Sequence, residues 1–452
     1  MVGAIQVKES REMAIRKIVQ LGCGTVGEPV IRALLERGSA LGVQLVKVLV
    51  KDLGKDRPGP ASLYTNDPGE IFSQKFDILV AAMGGDDELE YMLIVNALRM
   101  GRSVVLANKR ILASRWGALA ELCNGTQGVY GEATALGGIP IYGWLRTGAR
   151  ADTIWRIGGI FNGTTNWILS RMETEGGEIE DYLPEAQRLG FAEANPELDL
   201  NGQDAAAKLE ILANLAFHVR LSMQTADVTG ICDNGNKRNR VTARDFQYAK
   251  NMGCTIKLLA MAEHHDGIVD AWVGPALVPL DHPLASVHDQ MNCAMVSGEL
   301  LGDLYFKGPG AGGGSTAGSV LTDIVAAGDN HYGGHRLPML SQAQLVTMSQ
   351  QCADWYVRHA VVDVPGVLKD VGRALEDHQV SCLAYGQYGE HRWRESVKGP
   401  VMSETPLVTH NCSFDAFHEA IADISSQHYF VYSGKVMRRM FVPDAPIIVP
   451  QA

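Results

Sequence analysis

The sequence has no long uninterrupted apolar run. No stretch of the 452-residue sequence approaches the ~20 uncharged apolar residues that are needed to cross a bilayer. The first 16 residues carry five charged side chains and no apolar centre, so they do not predict a secretory signal. We therefore expect a cytoplasmic protein with no membrane partner.

The sequence also lacks clusters of positive charge and closely spaced cysteine pairs. The formal net charge is −11 and no long basic run occurs, which argues against nucleic acid or an anionic membrane as a partner. The eight cysteines are scattered without a CxxC pair, which predicts reduced, mostly buried thiols. No solenoid-type repeat and no low-complexity tract are present. Hydrophobic residues, at 46 %, are abundant enough for a chain of this length to bury two or three cores.

The first segment alternates predicted strands with predicted helices. The strands are continuous apolar runs, as in a parallel sheet that is covered on both faces. We predict an α/β fold with a Rossmann-like, doubly wound nucleotide-binding domain over residues 1–150. Its predicted strands are Lys17–Leu21, Val43–Val50, Phe76–Met83 and Ser103–Leu106, with helices at Glu28–Arg37 and around Glu88–Met100.

The rest of the chain predicts an α+β segment and a small C-terminal module. In the α+β segment, Asp204–His218 predicts an amphipathic helix, and Ile268–Val278 predicts a strand interrupted by Gly274 and Pro275. A glycine-rich loop, Gly308–Ala317, precedes a helical run, Gly318–Ala327, and a linker, Asp329–Pro338. Beyond the linker, a βαββαβ order indicates an α/β sandwich.

A glycine turn joins the first strand to the first helix. Gly22, Gly24 and Gly27 have GxGxxG spacing in LGCGTVG, with Thr25 and Val26 between them. Such glycines permit a tight turn and a close approach to a pyrophosphate at the helix N-terminus. The motif in this context predicts cofactor binding, and the alternative is a purely structural turn.

The charges after the second strand bear on which cofactor binds. This segment contains three cations, Lys51, Lys55 and Arg57, and two carboxylates, Asp52 and Asp56. A carboxylate there would hold the ribose hydroxyl of NAD, whereas cations favour the 2′-phosphate of NADP. The balance favours NADP, with NAD possible and a solvated charged turn as the alternative.

Two lysines stand out as candidates for chemistry. Lys109, in the triplet ANK, follows the C-terminal end of a predicted parallel strand, where ligands sit in open sheets. Lys208 and Asp204 are spaced i, i+4 and share a helix face. Spacing alone favours a surface ion pair for them. Glu193 precedes them in an acidic loop. The glycine-rich stretches Gly131–Ile141 and Gly159–Leu169 could expose backbone groups to a ligand or ion, or be structural loops.

Taken together, these stretches resemble the homoserine dehydrogenase family, in its long bacterial form with a C-terminal ACT module. The similarity runs along nearly the whole chain and keeps the family's order and spacing. The most specific part joins GIFNGTTNWIL to the run that ends in DAAAK. The matching stretches are GCGTVG, VLANK, GEATALGGIPI, GGIFNGTTNWILSRM, AQRLGFAEANPELDLNGQDAAAKLEIL, IKLLA and GPGAGGGSTA.

The resemblance implies NAD(P)-dependent interconversion of L-homoserine and L-aspartate 4-semialdehyde in threonine and methionine biosynthesis. By position, Lys208 corresponds to the family's proton carrier, and Lys109 to the lysine that holds the reacting oxygen. Two lysines near one oxygen would lower each other's pKa. Glu193 and Asp204 correspond to the acidic residues that bind the substrate ammonium.

The resemblance also implies a monovalent cation, a regulatory module and an oligomer. The family's cation, usually sodium, is held mainly by backbone carbonyls, which correspond to Glu132, Ala135, Gly137 and Ile139. Gly310 lies in the stretch Gly308–Gly312, which by resemblance touches the cofactor. We expect residues 308–335 to return to the nucleotide domain, 151–307 to form the substrate-binding and dimerisation domain, and 353–445 a ferredoxin-like ACT domain. The chain would be a homodimer or tetramer, with threonine as a possible effector or the module serving only in pairing.

Several positions depart from the family pattern. Ala81 and Ala82 stand where a glutamate is usual, and Cys232–Asp245 is unusually polar. Asn195 and Ser315 replace a common aspartate and proline. These differences bear on substrate preference and cofactor handling. Two alternatives therefore stay open: a dehydrogenase of the same fold acting on another amino alcohol or hydroxy compound, and a non-catalytic amino-acid sensor.

Overall fold

The chain forms two units, each built around its own apolar core. A computed structural model describes residues 15–84, 87–123, 127–233, 236–329, 337–388 and 402–440. The first unit comprises Met1–Thr134 and Gly312–Met339, and the second comprises Ala135–Ala311 and Leu340–Ala452.

The first unit is built on a six-stranded parallel sheet, which confirms the predicted doubly wound architecture. The strand order is 3-2-1-4-5-6, the arrangement of dinucleotide-binding folds. The order reverses between the first and fourth strands, which places a ligand crevice at their carboxyl ends. The strands are β1 Arg16–Leu21, β2 Val43–Leu49, β3 Tyr64–Thr65, β4 Ile78–Ala81, β5 Ser103–Leu106 and β6 Val129–Tyr130.

Four helices connect these strands. The first helix packs its apolar face on the sheet. Val30 and Ile31 of this helix share a buried core with the strand residues Ile18 and Val80. Asp67 caps the second helix by accepting a bond from the Gly69 amide. The helices are α1 Gly27–Arg37, α2 Pro68–Ser73, α3 Asp87–Arg99 and α4 Lys109–Leu122.

The second unit is built on a large, mostly antiparallel sheet. Its centre follows the order β15-β14-β7-β12-β13. The strands up to the return of the chain are β7 Ile154–Ile160, β8 Val219–Arg220, β9 Asp227–Val228, β10 Cys232–Asp233, β11 Asn236–Arg240, β12 Cys254–His265, β13 Ile268–Pro279, β14 Met291–Gly298 and β15 Gly302–Pro309.

The predicted interruption of β13 is wrong, because the strand pairs with β12 without a break. Gly274 lies opposite Leu259, and Pro275 opposite Leu258. On the other edge of β13, the described short strands pair before and after these two residues, at Trp272–Val273 and Ala276–Leu277. A proline is tolerated where an edge has no ladder partner.

Helix α9, Gln203–Phe217, is central to this unit and is buried on nearly all sides. Twelve of its 15 residues are buried, so the predicted amphipathic character is wrong. Alanines around the helix let it pack closely against β7 and β12, leaving no broad polar face. The helices of this part are α5 Ile141–Thr147, α6 Gly163–Glu175, α7 Ile179–Arg188, α8 Glu197–Leu200, α9 Gln203–Phe217 and α10 Ala243–Asn251.

The chain returns to the first unit through α11, Gly313–Asp329. This helix begins before the predicted start at Gly318, because the Thr316 amide already donates to the Gly312 carbonyl at 3.0 Å. Ala317, Val320 and Ile324 bury its inner face in the core of the first unit. Residues 330–336 of the predicted linker Asp329–Pro338 lie outside the described residues.

The C-terminal part follows the predicted βαββαβ order. Its four main strands are arranged β19-β20-β18-β22, and β23 joins β18 to β13, so the sheet of the second unit continues into it. The elements are β16 Ser341–Gln342, β17 Gln344–Leu345, β18 Cys352–Val362, α12 Val367–Asp377, β19 Cys382–Tyr385, β20 Met402–Thr409, β21 Cys412–Ser413, α13 Phe414–Ser425, β22 Phe430–Ser433 and β23 Met437–Arg439.

The cysteines are all free thiols, but the prediction that most are buried is wrong. Cys123, Cys254 and Cys293 are buried, Cys352 and Cys382 are exposed, and the others are partly buried.

In the described part of the chain, no helix has the length and apolar character needed to cross a membrane.

Candidate active site

Steric constraints in the glycine turn explain two of its three glycines. Gly22 has φ +92°, and a Cβ there would lie 2.4 Å from the Ala82 carbonyl oxygen. A Cβ on Gly27 would lie 2.6 Å from the Gly22 oxygen, so the first turn of α1 can pack this tightly only without a side chain. Gly24 has open space where its Cβ would be, and it is exposed together with Thr25. The turn therefore presents bare backbone at the N-terminus of α1, as a dinucleotide pyrophosphate requires.

The buried amide of Gln20 holds this turn in shape. Its Nε2 donates to the carbonyls of Gly22 at 2.8 Å and of Gly27 at 2.9 Å. Gln20 was not among the predicted site residues, although a polar residue inside an apolar strand was a visible signal. The returning helix α11 also reaches this turn, since a Cβ on Gly313 would lie 2.3 Å from the Thr25 carbonyl oxygen.

Of the three cations after β2, Arg57 interacts with a residue of the glycine turn. Its guanidinium opposes the rise that burial causes in the pKa of Cys23, a residue of that turn. The guanidinium carbon lies 5.6 Å from the centre of the Tyr64 ring. Lys51 and Lys55 are exposed, and Asp52 accepts a hydrogen bond from the Gly54 amide at 2.8 Å.

Lys109 is the first residue of α4 and directly follows the carboxyl end of β5. It is half-buried. A cation is electrostatically disfavoured at a helix N-terminus, so helix stability does not explain a lysine at this position. Asn108 caps the helix by accepting bonds from the amides of Arg110 and Ile111, and its Nδ2 donates to Glu90 Oε2 at 2.9 Å.

Glu90 supplies a buried carboxylate at the neighbouring strand end. Its Oε1 accepts a bond from the Met83 amide at 2.8 Å, just after Ala81 and Ala82. Burial raises the pKa of Glu90, and the hydrogen bonds from Asn108 and Met83 oppose that rise. The departure from the family pattern at Ala81–Ala82 therefore does not leave this strand end without a carboxylate.

In the second unit, Lys208 and Asp204 form a buried pair on α9. Lys208 Nζ lies 2.8 Å from Asp204 Oδ2, and the two residues are only 8 % and 7 % exposed. Lys208 Nζ also donates to the Phe161 carbonyl at 2.8 Å. The spacing-based expectation of a surface ion pair is therefore wrong, because the face of α9 that carries the pair is packed against the loop after β7.

Asn162 links the Lys208–Asp204 pair to a second carboxylate, that of Asp199, through hydrogen bonds. Its Nδ2 donates to Asp204 Oδ2 at 2.9 Å and to Asp199 Oδ1 at 2.7 Å. Its Oδ1 accepts a bond from the Thr165 amide and so caps α6. Thr164 Oγ1 also reaches Asp199, at 3.3 Å. The stretch FNGTT thus holds the lysine and both carboxylates in one cluster.

Asp199 was not among the predicted site residues, and the structure places it in this cluster. The available signal was the acidic loop before α9, in which sequence alone could not rank the carboxylates. Glu193, which was predicted, lies in the exposed part of the same loop. Its backbone carbonyl accepts a bond from Gln187 Nε2 at 3.1 Å.

Of the four predicted cation ligands, Glu132 belongs to the first unit and the other three belong to the second. The Glu132 amide donates to Asp323 Oδ2 at 2.9 Å. In the second unit, Leu136 and Gly137 both have φ +56°, a left-handed pair that turns successive carbonyls out of regular structure. The Ile139 carbonyl accepts a bond from the Ile141 amide. A Cβ on Gly137 would lie 2.7 Å from the carbonyl oxygen of Gly310, the predicted cofactor residue.

Family models match both units of the chain. Residues 22–130 match the model "Homoserine dehydrogenase, NAD binding domain", and residues 140–325 match the model "Homoserine dehydrogenase". With the doubly wound sheet and its glycine turn, these matches define the class of the protein: it is an NAD(P)-dependent oxidoreductase that acts on a CH–OH group.

Individual relatives agree over most of the chain. The homoserine dehydrogenase of Mycobacterium leprae is 38 % identical over 82 % of this chain and 86 % of its own length. That of Bacillus subtilis is 34 % identical over 90 % and 94 %. A solved homoserine dehydrogenase from Thiobacillus denitrificans has a TM-score of 0.83 and 31 % identity, covering 94 % of this chain and 98 % of its own. The chain belongs to the homoserine dehydrogenase family.

Proposed function

We propose that Lys208 carries the proton when the chain interconverts L-homoserine and L-aspartate 4-semialdehyde. The observation that carries this role is its buried ammonium, held by Phe161 and Asp204. These partners accept two of its three N–H groups, which leaves one for the substrate oxygen. In reduction the Lys208 ammonium gives this proton to the carbonyl oxygen and is left as a neutral amine, and in oxidation the neutral amine takes the proton from the hydroxyl.

We assign Asp204 and Asp199 to the substrate ammonium, with Glu193 as a further carboxylate from the exposed loop. A zwitterionic amino acid needs carboxylates at its amino end, and this cluster supplies two that Asn162 holds in place. Asn162 and Thr164 hold Asp199, and Asn162 and the Lys208 ammonium hold Asp204, so both carboxylates are fixed in position before the substrate binds. The departure at Asn195, an exposed residue, lies outside this cluster.

For Lys109 we propose a role in holding and polarising the reacting oxygen. It lies at the carboxyl end of a central parallel strand, where ligands bind in this fold. Asn108 caps α4 and donates a hydrogen bond to the buried Glu90, which fixes the start of the helix. The position from which the Lys109 side chain extends is therefore fixed as well.

The bound nicotinamide supplies the hydride-transfer chemistry, and we propose that NADP is preferred. The exposed backbone at Gly24 and Thr25 fits the pyrophosphate. Arg57, beside the glycine turn, is the side chain best placed for a 2′-phosphate, with Lys51 and Lys55 adding charge. A homologous archaeal homoserine dehydrogenase, 28 % identical with a TM-score of 0.57, was solved in complex with NADPH.

We further propose that backbone carbonyls of Glu132, Ala135, Gly137 and Ile139 hold a sodium ion. The left-handed pair Leu136–Gly137 supports this, because it presents carbonyls without needing acidic side chains. The hydrogen bond that Ile139 accepts uses one lone pair of its carbonyl and leaves the other.

For the C-terminal part we propose an ACT-type, ferredoxin-like regulatory module that pairs with a second copy of the chain. The strand order β19-β20-β18-β22 with two helices supports this architecture. Threonine is the effector expected from the place of the enzyme in threonine and methionine biosynthesis. A homodimer or tetramer would follow from such pairing.

The experiment is an assay of the purified chain with L-homoserine, using NADP⁺ and NAD⁺ in parallel, with and without threonine. We expect homoserine oxidation that is faster with NADP⁺. If another amino alcohol is turned over in preference to homoserine, the substrate assignment is wrong. If neither cofactor binds, as followed by NADPH fluorescence, the chain is a sensor and not an enzyme.

A further inference from the structure

Asn292, the second residue of β14, has a carboxamide that makes no hydrogen bond. The residue is fully buried, and neither its Nδ2 nor its Oδ1 has a hydrogen-bond partner among the described residues. A buried amide in this state loses the hydrogen bonds that water provides in the unfolded chain. Packing of β14 does not explain the choice of asparagine, because an apolar side chain would avoid this cost.

The carboxamide lies beside two backbone segments of the second unit. A Cβ on Gly310 would lie 2.0 Å from both the Cγ and the Nδ2 of Asn292. The carboxamide therefore occupies the space that a side chain at position 310 would need. A Cβ on Gly163, the first residue of α6, would lie 3.5 Å from Asn292 Oδ1. Asn292 is thus placed between the start of α6 and the stretch that contains Gly310.

The backbone on both sides of the carboxamide is held firmly. Asn166 Nδ2 lies 3.2 Å from the Val287 carbonyl oxygen and 3.0 Å from the carbonyl oxygens of Asp289 and Met291, so it fixes the loop before Asn292. Asn292 itself lies opposite Gly308 in the antiparallel ladder of β14 and β15. The missing partners of the carboxamide are therefore not a consequence of a free loop.

The two segments beside Asn292 correspond to the two reactants of the proposed reaction. Asn162, which directly precedes Gly163, holds the two carboxylates that we assign to the substrate ammonium. Gly310 lies in the stretch that we expect to touch the cofactor. Hydride transfer requires the nicotinamide ring and the substrate carbon to approach to about 3–3.5 Å. A ring that meets this condition lies near both segments, and so near Asn292.

We propose that Asn292 binds the carboxamide of the nicotinamide ring. A primary carboxamide carries an N–H donor and a carbonyl acceptor, which are the complements of the two atoms of Asn292 that lack partners. Asn292 Nδ2 would donate to the carboxamide oxygen, and Asn292 Oδ1 would accept from the carboxamide nitrogen. This pair of hydrogen bonds would fix the orientation of the ring against the substrate. The proposal rests on the proposed dehydrogenase function.

The substrate carboxylate is a less suitable partner for Asn292. A carboxylate offers acceptors only, so it would satisfy Nδ2 and leave Oδ1 buried without a donor. The substrate ammonium is already matched by the charged carboxylates that Asn162 holds. The carboxamide of the cofactor is the group in this reaction that satisfies both atoms at once.

A bound ring reaches Asn292 when the backbone at Gly310 moves aside. Gly310 brings no side chain to this contact, and the next residues, Ala311 and Gly312, are exposed. Gly312 has φ +113°, a conformation that glycine adopts readily. The required movement is therefore confined to a short glycine-rich segment.

The test compares NADP⁺ with 3-acetylpyridine adenine dinucleotide phosphate, in which a methyl group replaces the NH₂ of the carboxamide. Binding of each to the full-length chain, without homoserine, is measured by calorimetry. The wild type should bind NADP⁺ about tenfold more tightly, because the analogue leaves Asn292 Oδ1 without a donor. Equal affinity of the wild type for the two cofactors would overturn the proposal.

Asn292→Leu keeps the branched shape of the side chain and removes both polar atoms. It should bind NADP⁺ about tenfold more weakly than the wild type, and its preference for NADP⁺ over the analogue should fall to within about twofold. The free energy of unfolding should not decrease, because the variant buries no unpaired amide. Weaker binding without a loss of stability separates a binding role from a packing role.

Asn214→Ala is the matched control, since Asn214 of α9 is also fully buried. Its Oδ1 accepts a bond from the Leu221 amide at 2.7 Å. The control should lose stability and keep the wild-type preference for NADP⁺.

An Asn292→Leu protein that keeps the wild-type preference would overturn the proposal and leave the carboxamide a packing role only. Should this variant fail to fold, Asn292→Ala allows the same comparison, and the wild-type comparison of the two cofactors needs no variant. Absence of homoserine oxidation by a wild type that binds NADP⁺ would overturn the proposed function, whereas the titrations would still report on Asn292.

Discussion

The ammonium of Lys208 lies 2.8 Å from the Asp204 carboxylate, and the two side chains are buried one helical turn apart on α9. A buried ion pair of this kind is weak evidence for stability, because desolvation offsets much of the attraction. The pair lies beside Asn162 and the Phe161 carbonyl. In the proposed mechanism it keeps the proton donor next to a carboxylate that binds the substrate ammonium.

Asn162 is the residue that positions the carboxylates, and its two roles can be separated. Asn162→Ser keeps an N-cap oxygen for the Thr165 amide but removes the amide donor to Asp199 and Asp204. We expect the KM for homoserine to rise about tenfold with a small change in kcat, as for the loss of hydrogen bonds to charged groups. Steady-state kinetics measures this split.

Asn162→Ala is the matched comparison, since it removes the cap as well. It should show the same rise in KM, together with a loss of about 1 kcal/mol in the free energy of unfolding. A serine variant with normal KM would show that the carboxylates do not depend on Asn162.

Arg57 should decide between the two nicotinamide cofactors. Arg57→Ala removes the cation beside the glycine turn, and we expect NADPH to bind roughly tenfold more weakly while NADH binding changes little. Fluorescence titration with each cofactor measures this. Lys51→Ala and Lys55→Ala, at exposed positions, should have smaller effects. Equal losses for NADPH and NADH in Arg57→Ala would contradict the assignment of the 2′-phosphate.

Lys257 should make the stability of the second unit depend on alkaline pH. Burial lowers the pKa of Lys257 to about 8, whereas the unfolded chain keeps a value of about 10.4. Below pH ~8 the folded chain carries the buried charge and its full cost. Between pH ~8 and ~10.4 the folded state releases the proton before the unfolded state does, so the free energy of unfolding rises with pH.

The variant Lys257→Met should remove this rise and increase stability near neutral pH by about 1–3 kcal/mol. The carbonyl of Val287 that Lys257 bonds also accepts from Asn166 Nδ2, so the substitution leaves it a donor. Urea unfolding at about pH 7 and about pH 9.5 measures both effects, with Lys250→Met as the exposed control. A less stable variant with an unchanged pH dependence would show that the charge at Lys257 carries no cost.

The sequence predicted the elements whose signal is local. The strands of the first sheet and the glycine turn follow from continuous apolar runs and from glycine spacing, and both are present. The βαββαβ order of the C-terminal part follows from alternation in the same way.

The sequence alone did not predict which residues are buried or which long-range contacts they make. Spacing could place Asp204 and Lys208 on one face of a helix, but only the packing of α9 shows that this face is buried. Nothing local distinguishes Asp199, which bonds to Asn162, from Glu193, which lies on the surface. The polar segment Cys232–Asp245 was identified as unusual, yet its partner Arg358 lies more than a hundred residues away in the chain.

The most direct test of the central claim is the rate of homoserine oxidation by Lys208→Ala, measured with saturating NADP⁺. We expect kcat to fall by a factor of about 10²–10⁴, with NADPH binding unchanged and Lys250→Ala behaving as the wild type. A Lys208→Ala enzyme that turns over homoserine at the wild-type rate would contradict the assignment of Lys208 as the proton carrier.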